Sequence, residues 1–132
     1  MKDPCFSILV TIPDTTLLEL MGEVVDHFGY RPVLCKDESS AMMALTRVGT
    51  FPVGVFDWEM SIRSFPDIFK KTLEQLPTMR RLVLINQSNR IIREALQKGD
   101  FCSYVKKPFE LEVFETALTE CVRKFIQVDK EN

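Results

Sequence analysis

Pro52-Val-Gly-Val-Phe-Asp57 and Arg81-Leu-Val-Leu-Ile85 are two short apolar runs in the middle of the 132-residue chain. Each run is too short for an ordinary helix, and its apolar residues occupy odd and even positions alike. This pattern is typical of strands in a parallel sheet that is covered by helices on both faces. The two runs therefore predict an α/β fold.

Three further strands are predicted outward from these runs, at residues 6–11, 31–35 and 101–106. Each of the five strands is followed by apolar residues at helical spacing; for the helix after the third strand, Ser64-Phe-Pro-Asp67 resembles a capping start. Five strands that alternate with five helices predict a doubly wound parallel sheet. We expect a single domain over residues 1–132, with a core at about 6–126 and a loose tail at 127–132.

The composition excludes several classes of protein. Hydrophobic residues make up 45% and charged residues 27%, which is the mixture of a globular domain. The 17 basic and 19 acidic residues give a net charge of -2, too balanced for binding to nucleic acid through its phosphates. No apolar run reaches the roughly 20 residues of a membrane helix, and none resembles a signal peptide. We therefore expect a cytoplasmic domain that binds neither nucleic acid nor membranes.

The four cysteines lie far apart and form no CxxC pair, and the single histidine, His27, has no cysteine near it in sequence. This spacing excludes a zinc finger. All four have apolar neighbours, which predicts separate buried thiols in a reducing compartment: Cys5, Cys35, Cys102 and Cys121. The basic doublets Lys70-Lys71 and Arg80-Arg81 are interpreted as solvated surface charges.

Polar residues follow several of the predicted strands. Asp57 ends the third strand, Asn86 follows the fourth and Lys107 follows the fifth. In doubly wound sheets, ligands bind beyond the carboxyl ends of the strands. The pattern therefore brings a carboxylate and a lysine to the same edge of the sheet.

Two segments at these strand ends resemble the receiver domains of response regulators. Val53-Gly-Val-Phe-Asp57-Trp-Glu-Met60 is similar to the phospho-acceptor segment, and Ser103-Tyr-Val-Lys-Lys-Pro-Phe109 is similar to the end of the fifth strand. The resemblance covers about residues 6–125 and implies a flavodoxin-like sheet in the order 2-1-3-4-5.

The resemblance also implies roles for individual residues. Asp57 would accept a phosphoryl group, and Lys107 and Asn86 would contact it. Tyr104 would be the aromatic residue that turns inward on activation, and the bond before Pro108 would be cis. The surface of helix four, strand five and helix five would bind a histidine kinase, another signalling protein or a second copy of the chain; it includes Arg90, Arg93, Gln97, Tyr104 and Lys106.

The chain departs from the receiver pattern where Mg²⁺ would bind. Receivers have two adjacent acidic residues after strand one, and this chain has Ile12 and Pro13. Two nearby acids could complete a metal shell, namely Asp14 and Glu59. Asp14 is better explained as a helix N-cap, and Glu59 as a solvated loop residue. Asn86 stands where receivers have Thr or Ser.

We therefore predict no cofactor, with Mg²⁺ only if those acids rescue the site, and no enzyme activity beyond self-phosphorylation on Asp57. The expected function is that of a degenerate receiver that acts through protein contacts, with Asp57 and Lys107 in a closed ion pair. A working phospho-acceptor is the main alternative. A flavin- or nucleotide-binding enzyme on the same fold is a remote one, because the loop after strand one has no glycine.

Overall fold

The computed structural model describes residues 6–48, 50–58, 67–87 and 90–131. Strands and helices alternate along these residues, as the sequence predicts. The strands are β1 (Ser7–Thr11), β2 (Arg31–Cys35), β3 (Val53–Asp57), β4 (Arg80–Ile85) and β5 (Ser103–Lys106). The helices are α1 (Thr15–His27), α2 (Glu38–Val48), α3 (Asp67–Gln75), α4 (Arg90–Lys98) and α5 (Leu111–Glu131). Helix α5 continues past residue 126, where the core was expected to end.

The five strands form one parallel sheet in the order β2-β1-β3-β4-β5. The predicted fold class and strand order are therefore confirmed. The order reverses between β1 and β3, which is where doubly wound sheets bind ligands. We call the end of the sheet at which the strands terminate, with Asp57, Asn86 and Lys107, the carboxyl edge. The opposite end, at which β4 and β5 begin, is called the amino edge.

The core has two apolar layers, one on each face of the sheet. In the first layer, Ile8 of β1 packs with Phe114 of α5 and with residues of α1. In the second, Phe56 of β3 packs with Phe69 of α3 and with residues of α2 and α4. Adjacent strand residues enter opposite layers because side chains alternate along a strand. Both faces are buried, which explains the continuous apolar runs of β3 and β4.

Two of the helices have an aspartate at their N-terminus whose carboxylate accepts a backbone hydrogen bond. The Leu17 backbone N–H donates to Asp14 Oδ1 over 2.9 Å at the start of α1, and the Ser40 N–H donates to Asp37 Oδ1 over 2.7 Å at the start of α2. The backbone hydrogen bond from Ser40 lowers the pKa of the Asp37 carboxyl below its usual value. The interpretation of Asp14 as an N-cap is therefore confirmed.

Arg81 corrects the prediction that both basic doublets are solvated. Strand β4 begins at Arg80, one residue earlier than expected. Arg81 alternates with Val83 and Ile85, which lie in the second apolar layer, and therefore faces the same layer. Only 3% of Arg81 is exposed, and its guanidinium lies 6.0 Å from the centre of the Phe69 ring. The prediction was wrong because it treated the charge of Arg81 as evidence of exposure.

The cysteines also differ from their prediction. Cys102, just before β5, and Cys121 on α5 form a disulfide, with their Cα atoms 6.2 Å apart. The expectation of separate thiols is therefore wrong for these two residues, because the fold brings α5 back over the start of β5. Cys35 is a buried free thiol. Burial, together with the smaller effect of the nearby Asp37 charge, raises its pKa to about 11.

Three predictions fall on parts of the chain outside the described residues: the thiol of Cys5, the capping start at Ser64-Phe-Pro and the loop position of Glu59. In the parts of the chain that the structure does describe, no helix has the length and apolar character needed to span a membrane.

Candidate functional site

Asp57 and Lys107 form an ion pair at the carboxyl edge. Lys107 Nζ lies 2.7 Å from Asp57 Oδ2, and the exposed fractions of the two side chains are 17% and 2%. Asp57 is held there by β3, in which every residue is buried. A nearly dry carboxylate needs such a partner because an unpaired buried charge is strongly destabilising. The predicted contact between these residues is therefore confirmed.

The backbone around Lys107 is fixed by strand β4. The Lys107 N–H donates to the Ile85 carbonyl over 2.7 Å, which continues the β4–β5 pairing by one residue. The Lys107–Pro108 peptide bond is cis, as the resemblance implies. These contacts direct the lysine side chain across the carboxyl edge toward β3.

Asn86 lies at the same edge but does not hydrogen-bond to Asp57. It is exposed and lines a cavity of about 670 Å³ together with Lys107 and Pro108. The lining of this cavity also includes the apolar side chains of Leu17, Leu20 and Leu111. Nothing in the sequence indicated that Leu17 borders the site.

The end of β1 presents apolar groups to this site. Thr11 of β1 pairs with Phe56 of β3, so the next residues, Ile12 and Asp57, are neighbours across the two strands. Ile12 is fully buried in the first apolar layer, whereas Pro13 is exposed. The Thr11 side chain is also fully buried, and its hydroxyl has no hydrogen-bond partner among the described residues.

Ile12 and Pro13, the two residues after β1, bring no side-chain oxygen to the carboxyl edge. Mg²⁺ prefers an octahedral shell that includes carboxylate oxygens. Asp57 faces an ammonium group, Asp14 caps α1, and Ile12 has no ligand atom in its side chain. In the described parts of the chain, no three His, Cys, Asp or Glu residues cluster as a metal site would require.

Two aromatic residues lie close in sequence to the members of the ion pair. Trp58 directly follows Asp57 and is 7% exposed, with its ring 5.8 Å from that of Phe69 in an edge-to-face contact. Tyr104 on β5 is 40% exposed and touches Phe101, with 6.5 Å between the ring centres. The only tryptophan of the chain is therefore the residue next to Asp57.

The residues predicted for partner binding are exposed on one side of the molecule. We call this set the output face: Arg90, Arg93, Gln97, Tyr104 and Lys106. Arg90 forms a solvent-exposed pair with Glu94 one turn later on α4, over 2.9 Å. Ile91 and Leu96 on the same helix are 39% and 40% exposed, so apolar side chains lie among these charges.

Comparison of the structure with known proteins identifies receiver domains as similar folds. A signal receiver domain of an HD domain-containing protein from Pseudomonas fluorescens has a TM-score of 0.80 at 16% identity, with 100% of this chain and 97% of that chain covered. A CheY-like response regulator receiver domain protein from Methanospirillum hungatei has a TM-score of 0.76 at 17% identity, with 98% and 100% covered.

An adenylate cyclase structure from Rhodopirellula baltica is also similar, with a TM-score of 0.85 at 19% identity and 97% and 95% of the two chains covered. No protein-family model matches the sequence, and no curated protein matches it significantly. The structural likeness extends over the whole length of the chain at low identity. The chain therefore has the fold of response-regulator receiver domains.

Proposed function

We propose that the chain is a receiver-type signal-transduction module that acts through protein–protein contacts and is impaired in Mg²⁺-dependent phosphorylation of Asp57. One observation carries the proposal: the buried Asp57 forms an ion pair with Lys107 and has Ile12 as its neighbour across β1 and β3. The ion pair supports a receiver-like carboxyl edge, and the isoleucine supports the loss of its metal chemistry.

Phosphorylation of a carboxylate requires that negative charge be neutralised. Phosphoryl transfer to a carboxylate brings two anions together, and Mg²⁺ neutralises and positions them in enzymes of this chemistry. Ile12 and Pro13 contribute no charge to that task, and Asp14 is engaged with the Leu17 N–H. Lys107 can stabilise an anion, but a single ammonium cannot replace a divalent ion that bridges both reactants.

The output face supports a binding role. Its side chains combine cations, an amide and a half-exposed tyrosine, and α4 adds the exposed Ile91 and Leu96. Protein interfaces of standard size combine an apolar centre with a polar rim. We propose a histidine kinase or another signalling protein as the partner, with a second copy of the chain as the other candidate.

The fluorescence of Trp58 tests the proposed loss of metal chemistry. Mg²⁺ is titrated first, and beryllofluoride, an unreactive analogue of the aspartyl phosphate, is added next. We expect no saturable change at either step and no shift in the denaturation midpoint on adding Mg²⁺. A saturable quench followed by a further change with beryllofluoride would contradict the proposal.

A matched variant restores the missing acids. In Ile12→Asp/Pro13→Asp, three carboxylates would meet at the carboxyl edge, so we expect Mg²⁺ to quench Trp58 and to stabilise the folded state. Adding Asp57→Asn to this variant removes the acceptor and should abolish the beryllofluoride response. If the Trp58 fluorescence of the restored variant does not change, Trp58 is insensitive to binding at the carboxyl edge. Binding of the phosphate analogue would then be measured directly by calorimetry.

The alternative function is a working phospho-acceptor that receives phosphate on Asp57 from a histidine kinase. The proximity of Lys107 Nζ to Asp57 Oδ2 favours it, since an ammonium at that place could stabilise a phosphoryl oxygen. It requires a carboxylate beyond those that the described residues offer. A positive response of the natural chain in the Trp58 experiment would make this alternative the preferred function.

A further inference from the structure

A second cavity, of about 280 Å³, lies at the amino edge, at the other end of the strands from Asp57. Its lining includes Cys102, which is one end of the disulfide. It also includes four charged side chains: Arg80, Arg81, Asp100 and Lys124. The function proposed for Asp57 uses none of these residues. The cavity therefore combines a reducible bond with an excess of positive charge at a separate place in the fold.

The two sulfurs of the disulfide differ in access. Cys121 is fully buried in the first apolar layer beneath α5, whereas Cys102 is partly exposed and lines the cavity. Thiol–disulfide exchange requires a thiolate to reach one sulfur atom. A thiolate that enters the cavity from solvent therefore meets Cys102, the more accessible of the two cysteines.

The positive charges of the cavity are not equally available to a ligand. The Arg81 guanidinium donates to the carbonyl oxygens of Thr72 and Leu76 over 2.7 Å each. Burial lowers the pKa of Arg81, and the opposite charge of Asp100 offsets part of that lowering. Arg80 and Lys124 form no salt bridge among the described residues. Arg80 Nε is buried and has no hydrogen-bond partner there. Two cations are thus available beside Cys102.

We propose that Cys102 is a site of thiol–disulfide exchange with a small thiol that carries carboxylates, which Arg80 and Lys124 attract into the cavity. Carboxylates complement guanidinium and ammonium groups through charge-assisted hydrogen bonds. The proposal concerns the amino edge alone and does not depend on the state of Asp57.

The exchange proceeds in two balanced steps. The incoming thiolate forms a bond to Cys102 Sγ while the bond between the two protein sulfurs breaks. The released electron pair goes to Cys121 Sγ, which takes the proton that the small thiol gave up to solvent. A second thiolate then attacks the sulfur of the bound small thiol, which releases a small disulfide and reduces Cys102 to a thiol.

The position of Lys124 assists the first step. It lies three residues after Cys121 on α5, and residues at that spacing share one face of a helix. Its charge therefore favours the thiolate that leaves Cys121 until that thiolate is protonated. Apolar burial disfavours a Cys121 thiolate, so we expect slow exchange in the folded protein.

The test compares two small thiols of opposite charge on the oxidised protein. Reduced glutathione carries carboxylates, and cysteamine carries an ammonium instead. Each rate is followed by mass spectrometry and divided by the rate of the same thiol with the urea-unfolded chain, which removes differences in intrinsic reactivity. We expect a preference for glutathione of about fivefold, declining with added salt. Peptide mapping should place the mixed disulfide on Cys102.

Two variants and a control attribute the preference to the cavity. Arg80→Gln and Lys124→Gln should each reduce it, whereas Lys71→Gln, on the exposed surface of α3, should leave it unchanged. Lys124→Gln suffices if the other variant does not fold. Equal normalised rates, an adduct on Cys121, or alkylation of both cysteines in air-oxidised protein without any reductant would each overturn the proposal.

Discussion

Asp57 and Arg81 are both buried charges in the sheet, and the protein stabilises them in different ways. Asp57, at the carboxyl edge, is paired with an opposite charge, the ammonium of Lys107, over 2.7 Å. Arg81, at the amino edge, donates instead to neutral oxygen atoms of the α3 end and the loop after it: Thr72 Oγ1 and the carbonyls of Thr72, Leu76 and Met79.

The difference separates a site from a structural element. A paired charge can exchange its partner for another ion, since Lys107 is itself 17% exposed. A guanidinium bound to backbone carbonyls has no such freedom, because those carbonyls belong to the chain that it holds in place. Helix C-termini carry partial negative charge, which further stabilises a cation at the end of α3. Burial lowers the pKa of Arg81 to about 10, so it remains charged at neutral pH.

Arg81→Met should have the largest effect, since it breaks the structural half of this comparison. The carbonyls at the α3 end lose their N–H donors, and we expect the free energy of unfolding to fall by about 3 kcal/mol. Chemical denaturation measures the loss. Arg80→Met is the matched control and should cost less than about 1 kcal/mol, because the buried Nε of Arg80 has no hydrogen-bond partner among the described residues. Similar losses for both variants would contradict the assigned role of Arg81.

Lys107→Met tests the other buried charge of the comparison, Asp57. It leaves Asp57 buried without its ammonium, and we expect a loss of about 2 kcal/mol in the free energy of unfolding at neutral pH. Asp57→Asn should cost less than about 1 kcal/mol, because Lys107 can return to water. Combining the two substitutions should therefore be less damaging than the sum of their separate effects. Additive losses in this double-mutant cycle would show that the two groups do not interact.

Cys35 sharpens the comparison with a buried group that carries no charge at neutral pH. Its folded pKa of about 11 lies above the usual thiol value, so its contribution to stability is complete below the unfolded pKa and is lost as pH rises through about 11. Few thiolates form at moderately alkaline pH. Alkylation in the folded protein should therefore be about a hundredfold slower than in the unfolded chain. Rapid labelling of Cys35 in native protein would contradict this expectation.

The sequence was sufficient for the carboxyl edge. Strand patterns located the ends of β3 and β5, and the topology of a doubly wound sheet brought Asp57 and Lys107 together. The resemblance to receiver segments added the cis bond before Pro108, which no local pattern predicts. The same reasoning recognised that Ile12 occupies the position of a ligand, although its complete burial required the structure.

The amino edge was not predictable in the same way. The alternation of Arg81 with Val83 and Ile85 was the available signal, but a charged residue at a strand end usually faces water. The disulfide depends on tertiary position. Cys121 belongs to the apolar stripe of α5, and nothing local indicates which part of the sheet that stripe covers at Cys102.

The disulfide closes residues 102–121 into a covalent ring that contains all of β5, the cis bond and the first half of α5. Both Lys106 and Lys107 lie within this ring. A protease that cuts between them opens the ring without dividing the molecule, because the two pieces remain joined through Cys102 and Cys121. A nicked chain would migrate as one species until a reductant separates its parts, so damage to the output face would stay attached to the domain that carries it.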